Sequence, residues 1–359
     1  MLHQKGLQTN FVCRKVDRNN LGNTVEAMVD IVENYPDCVF DLTGGEDLYL
    51  VAIGIVFEHY RDMELQMHRF NVRSNILYDC DCDGITLAEH PAPTLTVEEN
   101  VQLYGGDIRY GEMYRWEWNE AFERDVCTMW ELCRKDHRQW NSLTKSMGEL
   151  LLHTDPQALT VQLERRSIAA HTKTESEFYD FLTQLRDNGM ILSIQYGEDS
   201  VTVTFKNRQI MGCLAKEGQV LELWTYLVLY WAKEPGRDWI YNDVQTGVVI
   251  DWLDGDREAK GHLTNEVDVM MMHGCIPVFV SCKNGAVEVE ELYKLSTVAE
   301  RFGGKYAKKA LILSDGIGSN EYLRYIKRRA KEMDIAVVDN VVNKTKDRLE
   351  NELKNLWFG

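Results

Sequence analysis

Proline is scarce in this chain, with 6 among 359 residues. In a sequence that is 44% hydrophobic and 27% charged, that scarcity excludes long proline-rich or disordered arms and leaves ample material for packed cores. No window of 18 uncharged apolar residues occurs, so no membrane span is expected. The opening MLHQKGLQTN lacks the apolar stretch of a secretory leader, and a cytoplasmic location is the expectation. Cysteine is present but lacks a pairing pattern: nine residues lie at positions 13, 38, 80, 82, 127, 133, 213, 275 and 282. An odd, scattered set reads as reduced thiols rather than a disulfide frame. Within it, Cys80-Asp81-Cys82-Asp83-Gly84 has no second Cys/His pair at zinc-ligand spacing and reads as a turn at Asp83-Gly84. Internal repeats are absent, which excludes solenoids.

Positive charge is the other shortage. Lys and Arg number 40 against 57 Asp and Glu, a balance of -17, so nucleic acid cannot be gripped over the whole surface. The deficit is uneven. Residues 260–334 hold twelve Lys/Arg against ten Asp/Glu, a local +2, including Lys305, Lys308, Lys309, Lys327, Arg328 and Arg329. Any nucleic-acid contact belongs there.

What is present is a long alternation of strand and helix patterns. Strands are expected at 10–16, 38–42, 64–72 and 75–79, with helices at 24–35 and 46–60, the outline of a Rossmann-like sheet. After Pro91-Ala92-Pro93 a mostly helical, tryptophan-rich stretch runs to about 137. In the middle section a helix at 175–187, capped by Gly189, precedes a hairpin of 190–196 and 200–205, a winged-helix-like outline. The last section reads as helix 219–232, strands 241–252, 266–271 and 276–283, helix 287–302, strand 310–314, helix 320–331 and strand 335–338. The fold class is therefore α/β, in three parts: 1–150, a linking 151–216, and 217–359.

Chemistry concentrates on two neighbouring strands, Asn265-Glu266-Val267-Asp268 and Ser281-Cys282-Lys283. Strand alternation puts Glu266 and Asp268 on one side, and Ser281 and Lys283 likewise share a side. Carboxylates beside a lysine suit a hard Mg²⁺ or Mn²⁺ ion and the phosphate it coordinates. A surface salt bridge across a hairpin has the same spacing, so the flanking elements decide. Glu222 lies on the helix before these strands, and Glu290 and Glu291 on the helix after them.

That αβββαβ order, over about residues 217–340, resembles the PD-(D/E)xK nuclease superfamily. The resemblance implies that Asp268 is the metal-binding aspartate, Lys283 the motif lysine and Glu222 the carboxylate from the first helix. Cys282, between Ser281 and Lys283, is counted with Asp268, Glu222 and Glu291 as a metal ligand on the same basis. Ser281 departs from the motif, which has Asp or Glu there. Some restriction endonucleases of this fold carry serine at that place and take the missing carboxylate from the following helix, which points to Glu291 or Glu290. The catalytic set is thus Asp268, Lys283, Glu291 and Glu222.

A second motif, Asp41-Leu42-Thr43-Gly44-Gly45-Glu46, ends a strand and opens a helix. Glycines allow close backbone approach, and free N–H groups at a helix start attract phosphate. DLTGG followed by an apolar helix resembles the signature of CARF domains, sensors of cyclic oligoadenylates in type III CRISPR immunity. CARF followed by PD-(D/E)xK resembles the stand-alone CRISPR-associated CARF nucleases, as do the phrases Val280-Ser281-Cys282-Lys283-Asn284-Gly285 and Glu291-Leu292-Tyr293-Lys294-Leu295. The resemblance implies a homodimer that binds a cyclic oligoadenylate, tetra-adenylate foremost, through Thr43, Gly44, Gly45 and Glu46. It implies cleavage of DNA and/or RNA in response. Two departures stand out: acidic Glu46 stands at the expected phosphate site, where its charge repels phosphate unless it points away, and only nine residues precede the first expected strand. Gly105-Gly106-Asp107 reads as a helix C-cap with a possible second role as a pocket wall, and His262 and His273 are read as structural.

Overall fold

The computed structural model describes residues 12–358, apart from 64, 81–84, 88–92, 112, 114, 153, 156, 233–239, 253–262 and 319; side chains at 85–87 and 356–358 are also left aside. The Cys82-Asp83-Gly84 turn and His262 lie outside the described residues. The fold is mixed α/β, in two compact units: Met1–Thr94 with Gly274–Ile276, and Leu95–His273 with Pro277–Gly359. Residues 95–150, expected in the first domain, belong to the second unit. So does the expected linking segment 151–216, because it shares one continuous core with the strands that follow.

The first unit comprises helix α1 (Leu21–Asn34), strand β1 (Val39–Asp41), helix α2 (Asp47–His59) and strands β2 (Gln66–Asn71), β3 (Ile76–Cys80) and β4 (Ile85–Leu87). The side chain of Asn20 accepts from the Asn23 N–H and so starts α1. The sheet order is β1-β2-β3-β4, with β1 and β2 parallel and the other pairs antiparallel. One βαβ crossover is thus realised, fewer than the expected alternation. The strand expected at 10–16 is not formed by the described residues 12–16. There Arg14 instead pairs with Asp30 of α1 at 2.6 Å. The core is small, built on Val32, Val56 and Leu65 with Val29, Phe40 and Phe57 against them. Helix α2 is apolar around most of its circumference, yet Leu50, Val51 and Ile55 remain 41%, 51% and 43% exposed.

The second unit opens with α3 (Val97–Leu103), β5 (Asp107–Ile108), α4 (Glu120–Cys133) and α5 (His137–Leu151). Then come β6 (Thr160–Glu164), α6 (Arg165–His171), α7 (Glu175–Asp187), β7 (Ile191–Tyr196), β8 (Ser200–Phe205) and α8 (Arg208–Leu214). Strands β6, β8 and β7 form an antiparallel sheet in that order beside two short helices, as the winged-helix-like outline requires. The remainder is α9 (Gln219–Tyr230), β9 (Asp243–Asp251), β10 (Thr264–His273), β11 (Ile276–Lys283), α10 (Val289–Gly303), β12 (Lys308–Leu313), α11 (Glu321–Glu332), β13 (Ala336–Val338) and α12 (Lys346–Phe358).

A six-stranded sheet runs β13-β12-β11-β10-β9-β5, parallel from β11 to β13 and antiparallel from β10 to β9 and on to β5. Its central strand, Ile276-Pro277-Val278-Phe279-Val280, is a continuous apolar run because both faces are covered. On one face Val278, Val280 and Cys282 pack with α4, α5, α9 and α12; on the other, Phe279 and Leu311 pack with α3, α10 and α11. Helix α9 lies against β9 and β10 and is buried along nearly its whole length, which leaves Glu222 as a carboxylate inside a core helix. The eight described cysteines are free thiols. No helix among the described residues is long and apolar enough to cross a membrane.

Candidate active site

Strand alternation breaks where the acidic residues sit. Val267 joins the core on one face of the sheet and Val269 the core on the other. Opposite Asp268, Gly247 of β9 adopts φ +63, a left-handed backbone that a side chain would strain. With the backbone turned there, the Asp268 carboxylate reaches sideways to β11. Its Oδ2 accepts from the Cys282 N–H at 2.6 Å and from the Ser281 hydroxyl at 3.2 Å. Serine therefore does not supply a ligand charge; it orients the aspartate. Burial raises the Asp268 pKa, opposed by the Cys282 N–H, by Lys283 and by Ser281.

Lys283 projects from the end of β11 and forms an ion pair with Glu291 of α10 at 2.8 Å; Glu291 also holds Lys294 at 3.0 Å. Burial works against the Lys283 charge, but Glu291 and Asp268 outweigh it and raise its pKa. Burial likewise works against the Glu291 charge, and the two lysines overcome it, so this carboxyl titrates below its ordinary range. Lys283 is thus a fixed ammonium and Glu291 a fixed carboxylate. Of the two acids considered on this helix, Glu291 reaches the lysine while Glu290 is exposed. Asp268, Ser281, Lys283, Glu291, Lys294 and Glu266 line one cleft of about 350 Å³.

Glu222 lines a neighbouring cleft of about 240 Å³ with Lys216, Gln219 and Glu266, so Glu266 borders both. Gln219 donates to the Glu222 carboxylate at 2.9 Å, and Lys216 lies 3.7 Å from Glu222 and 3.0 Å from Glu266. Burial and then the Asp268 charge push the Glu222 pKa up to about 7, with Lys216 pulling the other way. Lys216 and Gln219 were not singled out from the sequence. Gln219 precedes Glu222 by three residues on the same helix, a spacing that puts both on one face. Lys216 lies on the turn before α9 and carries no comparable signal.

Of the expected metal ligands, Asp268, Glu222 and Glu291 are carboxylates around adjoining clefts, whereas the Cys282 thiol is not available. Its side chain lies in the core facing Thr225, and burial raises its pKa far above the thiol range. Only its backbone N–H reaches the site. Among the described residues no three His, Cys, Asp or Glu side chains converge closely enough to hold an ion as they stand. The donor chemistry nevertheless fits a hard cation. Burial and mutual repulsion hold Asp268 and Glu222 partly against ionisation, and a bound cation would relieve both.

In the first unit the expected ligand loop is built by its own polar groups. Asp41 Oδ1 accepts from the Thr43 N–H at 2.8 Å and from the Thr43 hydroxyl, and Thr43 Oγ1 accepts from the Phe70 N–H at 2.9 Å. The Thr43 hydroxyl therefore ties β1 to β2 rather than standing free as a donor. Gly45 at φ +126 needs glycine, and a Cβ on Gly44 would meet open space. No hydrogen bond among the described residues takes the N–H groups of Gly44, Gly45 or Glu46, and Glu46 precedes α2 without capping it. Gly105 caps α3, and Gly106 packs against Phe302, Val101 and the Asp251 carbonyl in the second unit, so this pair is a packing element. The His273 ring lies 2.8 Å from the Ile240 carbonyl, a structural contact.

No family model matches the chain, and no curated protein matches it. Solved structures do. Protein VC1899 from Vibrio cholerae is similar at a TM-score of 0.70 and 15% identity, over 95% of this chain and 83% of that one. Can2 from Sulfobacillus thermosulfidooxidans, solved in complex with cyclic tetra-adenylate, is similar at a TM-score of 0.64 and 16% identity, over 99% of this chain and 86% of that one. Across almost its whole length, the chain shares its fold with these two proteins.

Proposed function

We propose that the protein is a divalent-metal-dependent endonuclease of DNA and/or RNA, switched by a cyclic oligoadenylate bound to its N-terminal unit, in a type III CRISPR-like defence. The observation that carries this reading is the cleft that gathers Asp268, Lys283 and Glu291, with Glu222 in the adjoining cleft feeling the Asp268 charge. An Mg²⁺ or Mn²⁺ ion held by Asp268 with Glu222 or Glu266 would neutralise phosphate charge and lower the pKa of a hydrolytic water. Within the chain, Cys282 N–H and Ser281 fix the aspartate, and Glu291 keeps Lys283 charged and aimed into the cleft. A fixed ammonium stabilises the oxyanion that grows on phosphorus, rather than removing a proton. Glu222, pushed up to about 7, can exchange a proton near neutral pH.

The ligand half of the proposal draws on the unclaimed N–H groups at Gly44–Glu46, on the DLTGG resemblance and on the shared fold with Can2, whose structure holds cyclic tetra-adenylate. The exposed apolar face of α2 supports a homodimer, since a second copy would cover Leu50, Val51 and Ile55. A second reading has its own support in Ser281 and in the lack of three converging ligands among the described residues: a sensor whose nuclease fold only binds nucleic acid or a partner. Incubation with Mn²⁺, plasmid and RNA, with and without cyclic tetra-adenylate, separates the two. Ligand-stimulated cutting lost in Asp268→Ala and Lys283→Ala supports the nuclease. No cutting under any condition, or equal cutting by the variants, sinks it.

A further inference from the structure

We infer that the groove between α11 and the β12–β13 edge is a nucleic-acid track, a phosphodiester-backbone site separate from the carboxylate cleft. Six cations line it: Lys308, Lys309, Arg324, Lys327, Arg328 and Lys331, against only Glu321 and Asp334, a lining balance of +4 (6 − 2) in a chain whose total is -17. The groove has a volume of about 1070 Å³. Its cations are arranged, not scattered. Arg324, Lys327, Arg328 and Lys331 follow the i, i+3, i+4, i+7 spacing that makes one stripe, while Ile326 and Ala330 bury the other side of the same helix.

Most of these charges are uncommitted. Lys308, Lys327, Arg328 and Lys331 form no ion pair among the described residues, and Lys309 donates only to the Ser296 hydroxyl at 3.0 Å. The neighbouring cations behave differently. Arg329 is held by Glu332 at 2.7 Å and by the Tyr293 hydroxyl, and Lys305 lies over the Tyr306 ring. Clustered like charges are unfavourable unless a polyanion joins them. The stripe spans about 10 Å of helix, about three axial steps of a stacked strand at about 3.4 Å each, which sets about four phosphates along it.

The groove also stands in a useful relation to the cleft. Lys309 pairs in register with Phe279, and two and four residues further along β11 the same face carries Ser281 and Lys283. Helix α10 spans both places, bonding Lys309 through Ser296 and Lys283 through Glu291. By strand rise the two ends lie on the order of 15 Å apart, so a strand held in the groove has a short path to the carboxylates. This inference extends the nuclease reading but does not depend on cutting for its test.

The test uses full-length Asp268→Ala in EDTA, with fluorescein-labelled single-stranded DNA, single-stranded RNA and duplex DNA followed by anisotropy. Binding should weaken steeply with salt, with a log–log slope of roughly -3 for about four phosphates on a single strand. Lys327→Glu/Arg328→Glu should lose at least about tenfold in affinity and flatten the slope by roughly 1.5. The exposed control Lys135→Glu/Lys173→Glu should change affinity less than about threefold, and thermal melts of both must match the parent. Equal losses in groove and control variants overturn the track, as does tighter binding of a poly-glutamate peptide of matched charge. If wild type cuts nothing yet the groove variant loses binding, only the nuclease reading falls. If wild type cuts and groove reversal leaves both binding and KM unchanged, only the track falls.

Discussion

The two motif-bearing regions of this molecule solve opposite electrostatic problems. Around β10 and β11, carboxylates and lysines are pressed together in partly buried clefts, so each group's charge is decided by its neighbours. At Asp41–Glu46 the polar groups lie on the surface, where the Asp41 carboxylate accepts from the Thr43 N–H and the Thr43 hydroxyl accepts from the Phe70 N–H, and no hydrogen bond among the described residues takes the N–H groups of Gly44 to Glu46. On the proposed reading, the first region holds charge in reserve for a cation and a phosphate. On the same reading, the second holds backbone donors in reserve for an anion. Substitutions should therefore act on chemistry in one and on conformation in the other.

The largest effect belongs to the cleft. Asp268→Ala should reduce ligand-stimulated plasmid or RNA cutting by at least about 10³-fold, and Lys283→Ala by about 10²–10³-fold. The fold should survive by circular dichroism. Retained cutting in Asp268→Ala would erase the contrast between the regions. Next is the loop. Gly45→Val forces a branched side chain into φ +126 and should weaken cyclic tetra-adenylate binding by more than about tenfold in calorimetry, with metal-dependent basal cutting unchanged. Thr43→Ala removes the tie between Asp41 and Phe70 and should weaken the same binding less, at a stability cost of about 1 kcal/mol.

A smaller and pH-dependent effect falls on Glu222. Its folded pKa is raised from 4.5 to about 7, so between those values the unfolded chain ionises this group before the folded one does. Stability from the protonated form is thus present below about pH 4.5 and is lost as pH rises toward 7, by about 3 kcal/mol in all. In metal-free protein Glu222→Gln should flatten that slope, gaining stability relative to wild type at pH 8 and not at pH 4, by urea unfolding. An unchanged slope would mean that Glu222 is ionised in the folded state. The smallest effect is Lys294→Ala. Its side chain is 65% exposed and Lys283 still holds Glu291, so stability should shift by no more than about 0.5 kcal/mol and cutting by less than about threefold.

Much of this was legible in residue patterns because the second unit's elements are long and strongly apolar. The span 276–283 is β11, 175–187 is α7, and helix 219–232 is α9 but for its last two residues. Elements with weaker local signatures were missed. Strand β5 is two residues long and pairs with β9, β6 pairs with β8 far along the chain, and α12 is a mixed-polarity helix that packs on α9 and β13. The strand expected at 10–16 failed for the converse reason. Its alternation was suggestive, but an ion pair to α1 engages the described part of it.

The sequence by itself determined the α/β class, the identity and order of Asp268, Ser281, Lys283 and Glu291, and the strand–glycine–helix turn at Thr43–Glu46. Those follow from periodicity and residue chemistry, which are local. Only the tertiary structure decided what each group does. It committed the Thr43 hydroxyl to the loop, turned the Cys282 thiol into the core, made Ser281 a brace for Asp268, paired Lys283 with Glu291 while leaving Glu290 exposed and brought Lys216 to Glu222. It also drew Arg324 and Lys331 into a groove with Lys308 while pairing Arg329 away from it. Charge state and availability depend on burial and on neighbours remote in sequence, and those distances exist only once the chain has folded.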